Sequence, residues 1–279
     1  MFIDKKRPGT RGVGQAVSAY SHTYPDHRGA LEVYGRIMVA QQEALESLPV
    51  PEVLNEEVVD SRLRQGMTLI EPLNVQIDQD LFLELVANIC EALGERVPVG
   101  FADKVLGPDG LAGGAHRQIE AVLTGGSPGI FEGEDDDLAS RVIFEALVPF
   151  FENLANEYQR IMDWSIWKKG ECPVCGSPPL MGKFREGDGL WILECSLCRA
   201  AWSARRARCP FCDEDEEGSL DSICLDRNDS HRVMYCPACR RYIKTVDLRD
   251  ADYGAILALE DIVTAELDKA AANEHLKPA

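Results

Sequence analysis

No run of eighteen apolar residues occurs in this 279-residue sequence, so a membrane-spanning helix is not expected. The basic residues Lys5, Lys6 and Arg7 have no apolar stretch behind them, which argues against a secretory signal. The expectation is a soluble cytoplasmic protein whose thiols stay reduced. An excess of positive charge is also missing. The formal net charge is −18, and residues 1–166 hold 13 basic against 27 acidic side chains. Such a surface repels phosphate, which disfavours general nucleic-acid binding. His22, His27 and His116 are scattered without partners at metal spacing. No Ser/His/Asp set, phosphate-binding glycine loop or spaced carboxylate pair supports catalysis, so an enzyme is not expected.

Strand signals are weak in the first 166 residues, and helical periodicity dominates. Pro25 and Asp26 open a segment whose Leu31, Tyr34, Met38, Leu45 and Leu48 fall on one face, stopped by Pro49 and Pro51. A shorter helix is expected over 55–65. Asp78 or Asp80 should cap another, with Leu81, Leu85, Ile89 and Leu93 on one side and Gly94 at its end. Cys90 on that face reads as a core thiol. A further helix is expected over about 110–123, and one over 138–166 that Pro149 should kink or split. Glu134 to Asp137 read as a solvated acidic loop before it. Residues 250–272, with Tyr253, Ile256, Leu257, Ile262 and Leu267, return to helix, and Lys277 and Pro278 look frayed.

The middle of the chain has a different texture. Eight of the ten cysteines form four C-x-x-C pairs: Cys172/Cys175, Cys195/Cys198, Cys209/Cys212 and Cys236/Cys239. Two cysteines on one tight turn supply half a tetrahedron of thiolates. Four such turns make two complete sites. Gly187-Asp188-Gly189 separates two strand-like stretches between the first two pairs, and 226–230 does the same between the last two. Each hairpin brings its own two turns together, which favours sequential pairing; interleaved pairing is the competing topology. Proline follows the first cysteine in CPVC, CPFC and CPAC and stiffens the turn. Gly176 can take the positive φ that points amides at sulfur. Modules of this size need metal to fold, on the order of 10 kcal/mol per site. Spacing alone does not choose iron over zinc.

Other readings of these residues exist. A redox C-x-x-C opens a helix in a βαβ unit, whereas these pairs sit on hairpin ends. Arg199, Arg205, Arg206 and Arg208 beside Trp202 could form a phosphate-and-stacking patch, which makes a zinc-ribbon nucleic-acid regulator one alternative. A rubredoxin-like electron-transfer protein is another. Trp202 reads better as packing at the seam between the modules. Cys224 reads as a buried strand residue, and His231 as a non-ligand.

The architecture expected is α+β: a helical domain over 1–166, four-cysteine rubredoxin-like or zinc-ribbon modules over 167–206 and 207–249, and a C-terminal helix and tail over 250–279. The motifs CPVCG-x-x-P, LECSLCRAAW, RARCPFC and YCPACRRYIKTVD resemble the formate dehydrogenase accessory protein family, FdhE. The helical stretch EPLNVQIDQDLFLELVANI is similar to that family's first domain. The resemblance implies a cytoplasmic maturation factor that binds the catalytic subunit of formate dehydrogenase, with two rubredoxin-like modules whose metal is taken to be iron. The acidic helical body is then expected to face basic parts of the client.

Overall fold

The computed structural model describes residues 10–204, 208–212, 220–225, 230–249 and 254–279. Lys5 to Arg7, Arg205, Arg206, Tyr253 and most of the 226–230 turn lie outside them. The fold is α+β. Helices come first: α1 (Thr10–Thr23), α2 (Arg28–Ser47), α3 (Glu56–Arg64), α4 (Gln79–Leu93), α5 (Phe101–Leu106), α6 (His116–Leu123) and α7 (Glu134–Ile161). Strands β1 (Pro179–Phe184), β2 (Trp191–Cys195), β3 (Ala201–Ala204), β4 (Asp221–Ile223), β5 (His231–Tyr235) and β6 (Arg241–Asp247) follow. Helices α8 (Leu257–Val263) and α9 (Ala265–Asn273) and a short β7 (Lys277–Pro278) complete it.

Two compact units emerge, and they do not follow chain order. Among the described residues, one comprises 10–52 and 70–154; the other comprises 53–69 and those from 155 onward. The short helix α3 thus belongs with the sheet, although the sequence reading places everything before 166 together.

In the helical unit, local chemistry sets the helix ends. The Asp78 carboxylate accepts from the Leu81 amide at 3.1 Å, and Gly94 leaves α4 at φ 56°. Phe82, Leu85, Val86 and Ile89 fill the core, with Cys90 beside them; burial pushes the Cys90 thiol up to about 11. Helices α1 and α5 are not expected from the sequence: α1 carries Gly12 and Gly14 in its first turns, and α5 is six residues between Gly100 and Gly107.

Pro149 does not split α7, which runs unbroken through it. A proline removes the amide that would bond the carbonyl four residues back, here Glu145. Gln41 supplies the replacement: its Nε2 donates to the Glu145 carbonyl and to Glu145 Oε2, both at 2.9 Å. Tyr34, placed by periodicity on the apolar stripe of α2, instead donates to the same carboxylate at 3.4 Å. Gln41→Leu should therefore remove the donor to the Glu145 carbonyl and one of the donors to Oε2, and cost about 1–3 kcal/mol. Chemical denaturation checks this; an unchanged midpoint contradicts it.

The acidic run is not a solvated loop. Glu134 to Asp137 form the first turn of α7, where negative charge is favourable. Asp136 is buried, because the preceding loop folds over it. Its carboxylate accepts from the amides of Ile130 at 2.8 Å, Phe131 at 2.9 Å and Gly129 at 3.2 Å, and from the Ser127 hydroxyl. Burial raises its pKa, but these donors outweigh burial and the net direction is down. The ionised form thus contributes stability above the unfolded carboxyl value of about 3.9. That contribution is lost as pH falls through the lower folded value. Asp136→Ala should cost about 2–3 kcal/mol at neutral pH. The gap from the parent should close on acidification, which paired urea titrations at pH 7 and in acid would show.

In the other unit the strands form one sheet in the order β3-β2-β1-β6-β5-β4, with β7 on β6. The two expected hairpins are present: β1 pairs antiparallel with β2, and β4 with β5. Strand β6 then runs parallel to β1, with Gly182 opposite Thr245, and fuses the modules edge to edge. At this seam Gly182 has no room for a side chain; an added Cβ would lie 2.6 Å from Trp191 Nε1. That opening lets the Trp191 indole donate to Thr245 Oγ1 at 3.1 Å. Leu257 of α8 packs with Met181, Val246 and Leu248 over the seam. Leu267 and Ala271 of α9 pack with Val233 and Tyr242. The C-terminus is not frayed. Lys277 and Pro278 pair with Arg241 and Tyr242, and Leu276 is buried beneath them.

Candidate metal centres

Three of the four C-x-x-C turns, those at Cys172, Cys195 and Cys236, share one backbone plan. The first cysteine's amide donates to the carbonyl five residues on: Cys172 to Ser177 at 2.9 Å, Cys195 to Ala200 at 2.8 Å and Cys236 to Arg241 at 3.0 Å. The residue after the second cysteine takes positive φ, at 79° for Gly176, 55° for Arg199 and 62° for Arg240. Only glycine adopts this region freely; in the arginines it costs about 1–2 kcal/mol, held by the turn's hydrogen bonds. Sequence reasoning found Gly176 but not its two arginine counterparts. Proline is the signal for a knuckle in three of the four turns, while CSLC has none.

The sulfurs gather sequentially. Cys172, Cys175, Cys195 and Cys198 form one group and Cys209, Cys212, Cys236 and Cys239 another, each with all sulfurs within 4.8 Å of one another. Interleaved pairing does not occur. Across the first group, Cys172 and Cys198 Sγ lie 3.5 Å apart and Cys175 and Cys195 Sγ 3.4 Å. Across the second, Cys209–Cys239 and Cys212–Cys236 are both 3.7 Å. These separations are too long for disulfides, which need about 2.05 Å. A tetrahedral ion with metal–sulfur bonds of about 2.3 Å requires sulfurs about 3.8 Å apart. The donor set therefore fits a tetrathiolate ion.

Electrostatics agree with that fit. Burial pushes the Cys172 and Cys198 thiols well above their ordinary range. Hydrogen bonds from Cys172 and its neighbours pull Cys175 well below it. Four buried thiolates need a cation to be ionised together. Backbone amides also address sulfur, with Val174 donating to Cys172 at 3.3 Å and Phe211 to Cys209 at 3.4 Å.

The remaining sequence candidates are not gathered at these groups. Trp202 is fully buried on β3, opposite Leu193, at the end of the sheet away from the β1–β6 seam. It packs, but not at the junction, because β6 rather than β3 makes the junction. Its burial also leaves no face for a base to stack on, and Arg199 is buried as well. Cys224 is exposed, contrary to expectation, because β4 is a three-residue edge strand with little covering it. His231 points to Glu260, with Nε2 and Oε2 2.6 Å apart, rather than to sulfur.

A helical unit and a sheet unit whose four knuckles gather two four-sulfur groups define an α+β protein with two tetrathiol centres. Residues 171–206 match the family model described as FdhE, central domain. A protein FdhE homolog of Aquifex aeolicus is 32% identical over 139 residues, covering 49% of this chain and 48% of that one. A Pseudomonas aeruginosa homolog is 34% identical over 104 residues, covering 35% and 33%. These alignments thus span half or less of the relatives they match. The crystal structure of the FdhE protein from Pseudomonas aeruginosa shares the fold, with a TM-score of 0.71 at 20% identity over 98% of this chain and 95% of that one. The resemblance to the FdhE family read from the cysteine motifs is borne out. Among the described residues, no helix is long and apolar enough to cross a membrane.

Proposed function

We propose that this chain is an assembly factor for formate dehydrogenase, binding the enzyme's catalytic subunit in the cytoplasm and performing no catalysis of its own. In this reading Cys172, Cys175, Cys195 and Cys198 hold one iron or zinc ion, and Cys209, Cys212, Cys236 and Cys239 hold a second. The observation that carries it is the pair of sulfur groups at tetrahedral spacing within a fold shared with an FdhE protein. The ions hold a sheet of short strands in a shape that another protein can recognise. The acidic surface suits a basic client. A nucleic-acid role loses its stacking residue, since Trp202 is inside.

Two measurements test this. Elemental analysis of natively purified chain should find close to two iron or zinc ions per molecule. Affinity purification of the tagged chain, co-expressed with a formate dehydrogenase catalytic subunit, should retain that subunit. Folded, metal-replete chain that never retains it would overturn the assembly role.

A further inference from the structure

The two sulfur groups are unequal in their access to solvent. In the first, all four cysteines are buried. The turns that carry them are buried too, with Pro173, Val174 and Leu197 inside. Residues 68–69 lie against this group: the Leu69 amide donates to the Pro173 carbonyl at 3.1 Å, and a Cβ on Gly176 would meet the Thr68 methyl at 3.4 Å. In the second group Cys209 and Cys236 are buried, Cys239 is half-buried and Cys212 is exposed. Its turns face outward, with Pro210 and Phe211 half-buried and Pro237 and Ala238 exposed.

Ligand exchange at a tetrahedral thiolate ion needs an incoming donor to reach the ion as a thiolate leaves. The first group offers no such path without opening the sheet. The second offers one at Cys212. We infer that the second group is the chain's exchange site, where its ion is loaded and surrendered through Cys212 to soluble thiols or carboxylate chelators, while the first ion is locked in. This rests on the metal reading above. In the step, a bond forms between the ion and the incoming donor and the ion–Cys212 sulfur bond breaks. The released thiolate takes a proton from water, and no electrons change hands, so either iron or zinc allows it.

The test uses the full chain loaded with two zinc ions and challenged with excess EDTA. Native mass spectrometry counts the ions over time, and pulses of N-ethylmaleimide mark thiols as they become free. One ion should leave at least about tenfold faster than the other, the difference expected when one release needs only local opening. Label should reach Cys209, Cys212, Cys236 and Cys239 before Cys172, Cys175, Cys195 and Cys198. Exposed Cys224 labels from the start and calibrates the pulse, and buried Cys90 should label late. Two ions leaving at one rate, or first-group thiols labelling first, would overturn the inequivalence and leave the metal reading standing. A chain that holds neither two zinc nor two iron ions would overturn both.

Discussion

Cys195→Ser is expected to unfold the sheet-bearing unit, not merely to loosen one turn. Cys195 is fully buried at the end of β2, with its amide bonded to Ala200 and its backbone registered against Pro179. A structural tetrathiolate ion contributes on the order of 10 kcal/mol to folding. A typical domain is stable by only about 5–15 kcal/mol, so losing the ion removes most or all of the margin. A module standing alone would fail alone. Here β1 is bonded to β6 across the seam, and β6 carries the strand pairing of the second group. Loss of the first ion should therefore carry the second module with it. Cys212→Ser should be milder, since Cys212 is exposed and water can take the place of its sulfur. Metal content and thermal melting of both variants, beside limited proteolysis, give the comparison. Cys195→Ser protein that keeps two ions and melts like the parent would refute the argument. A variant that loses only its own hairpin would refute the coupling through the seam.

The site was legible because its signal is chemical and local. Four C-x-x-C turns at hairpin ends leave few arrangements, and the sequential grouping followed from Gly187-Asp188-Gly189 returning the chain on itself. Helices with strong stripes and caps, such as α4 between Asp78 and Gly94, were legible for the same reason. What could not be read were consequences of packing between segments far apart in sequence. The parallel pairing of β1 with β6 joins residues more than sixty positions apart, and nothing in either strand announces it except the small Gly182. The survival of α7 through Pro149 depends on Gln41, 104 positions upstream of the carbonyl it serves. The burial of Asp136 depends on a loop that turns its amides inward. The exposure of Cys224 depends on β4 being a short edge. In each case a rule stated for one element was overridden by its place among the others, through a distant partner or, for Cys224, through the lack of a covering one.

The trailing motif Tyr242-Ile243-Lys244 with Asp247 shows what a recognisable sequence signature can be for. Lys244 is buried on β6, an expensive place for an ammonium group. It donates to the Asp261 carbonyl at 2.9 Å and to Asp268 Oδ2 at 2.6 Å, and it forms an ion pair with Asp261 Oδ1 at 2.7 Å. Tyr242, two residues earlier on the same strand face, donates to Asp268 Oδ1 at 2.8 Å. Burial and the neighbouring Asp268 raise the Tyr242 pKa, which keeps the phenol a donor. Asp247 faces other partners, accepting from Arg232 and Arg249. The motif thus fastens α8 and α9 to the sheet beside the second sulfur group. The double change Asp261→Asn with Asp268→Asn strands the buried charge and should cost about 3–5 kcal/mol. Asp268→Asn alone should cost less, because Asp261 still compensates. Lys244→Met should also cost less than the double change, since it removes the buried charge and leaves two half-exposed carboxylates that water can solvate. Denaturant midpoints of metal-replete variants order the three. A Lys244→Met protein less stable than the double asparagine variant would mean that the ion pair itself, rather than relief of a stranded charge, holds these helices down.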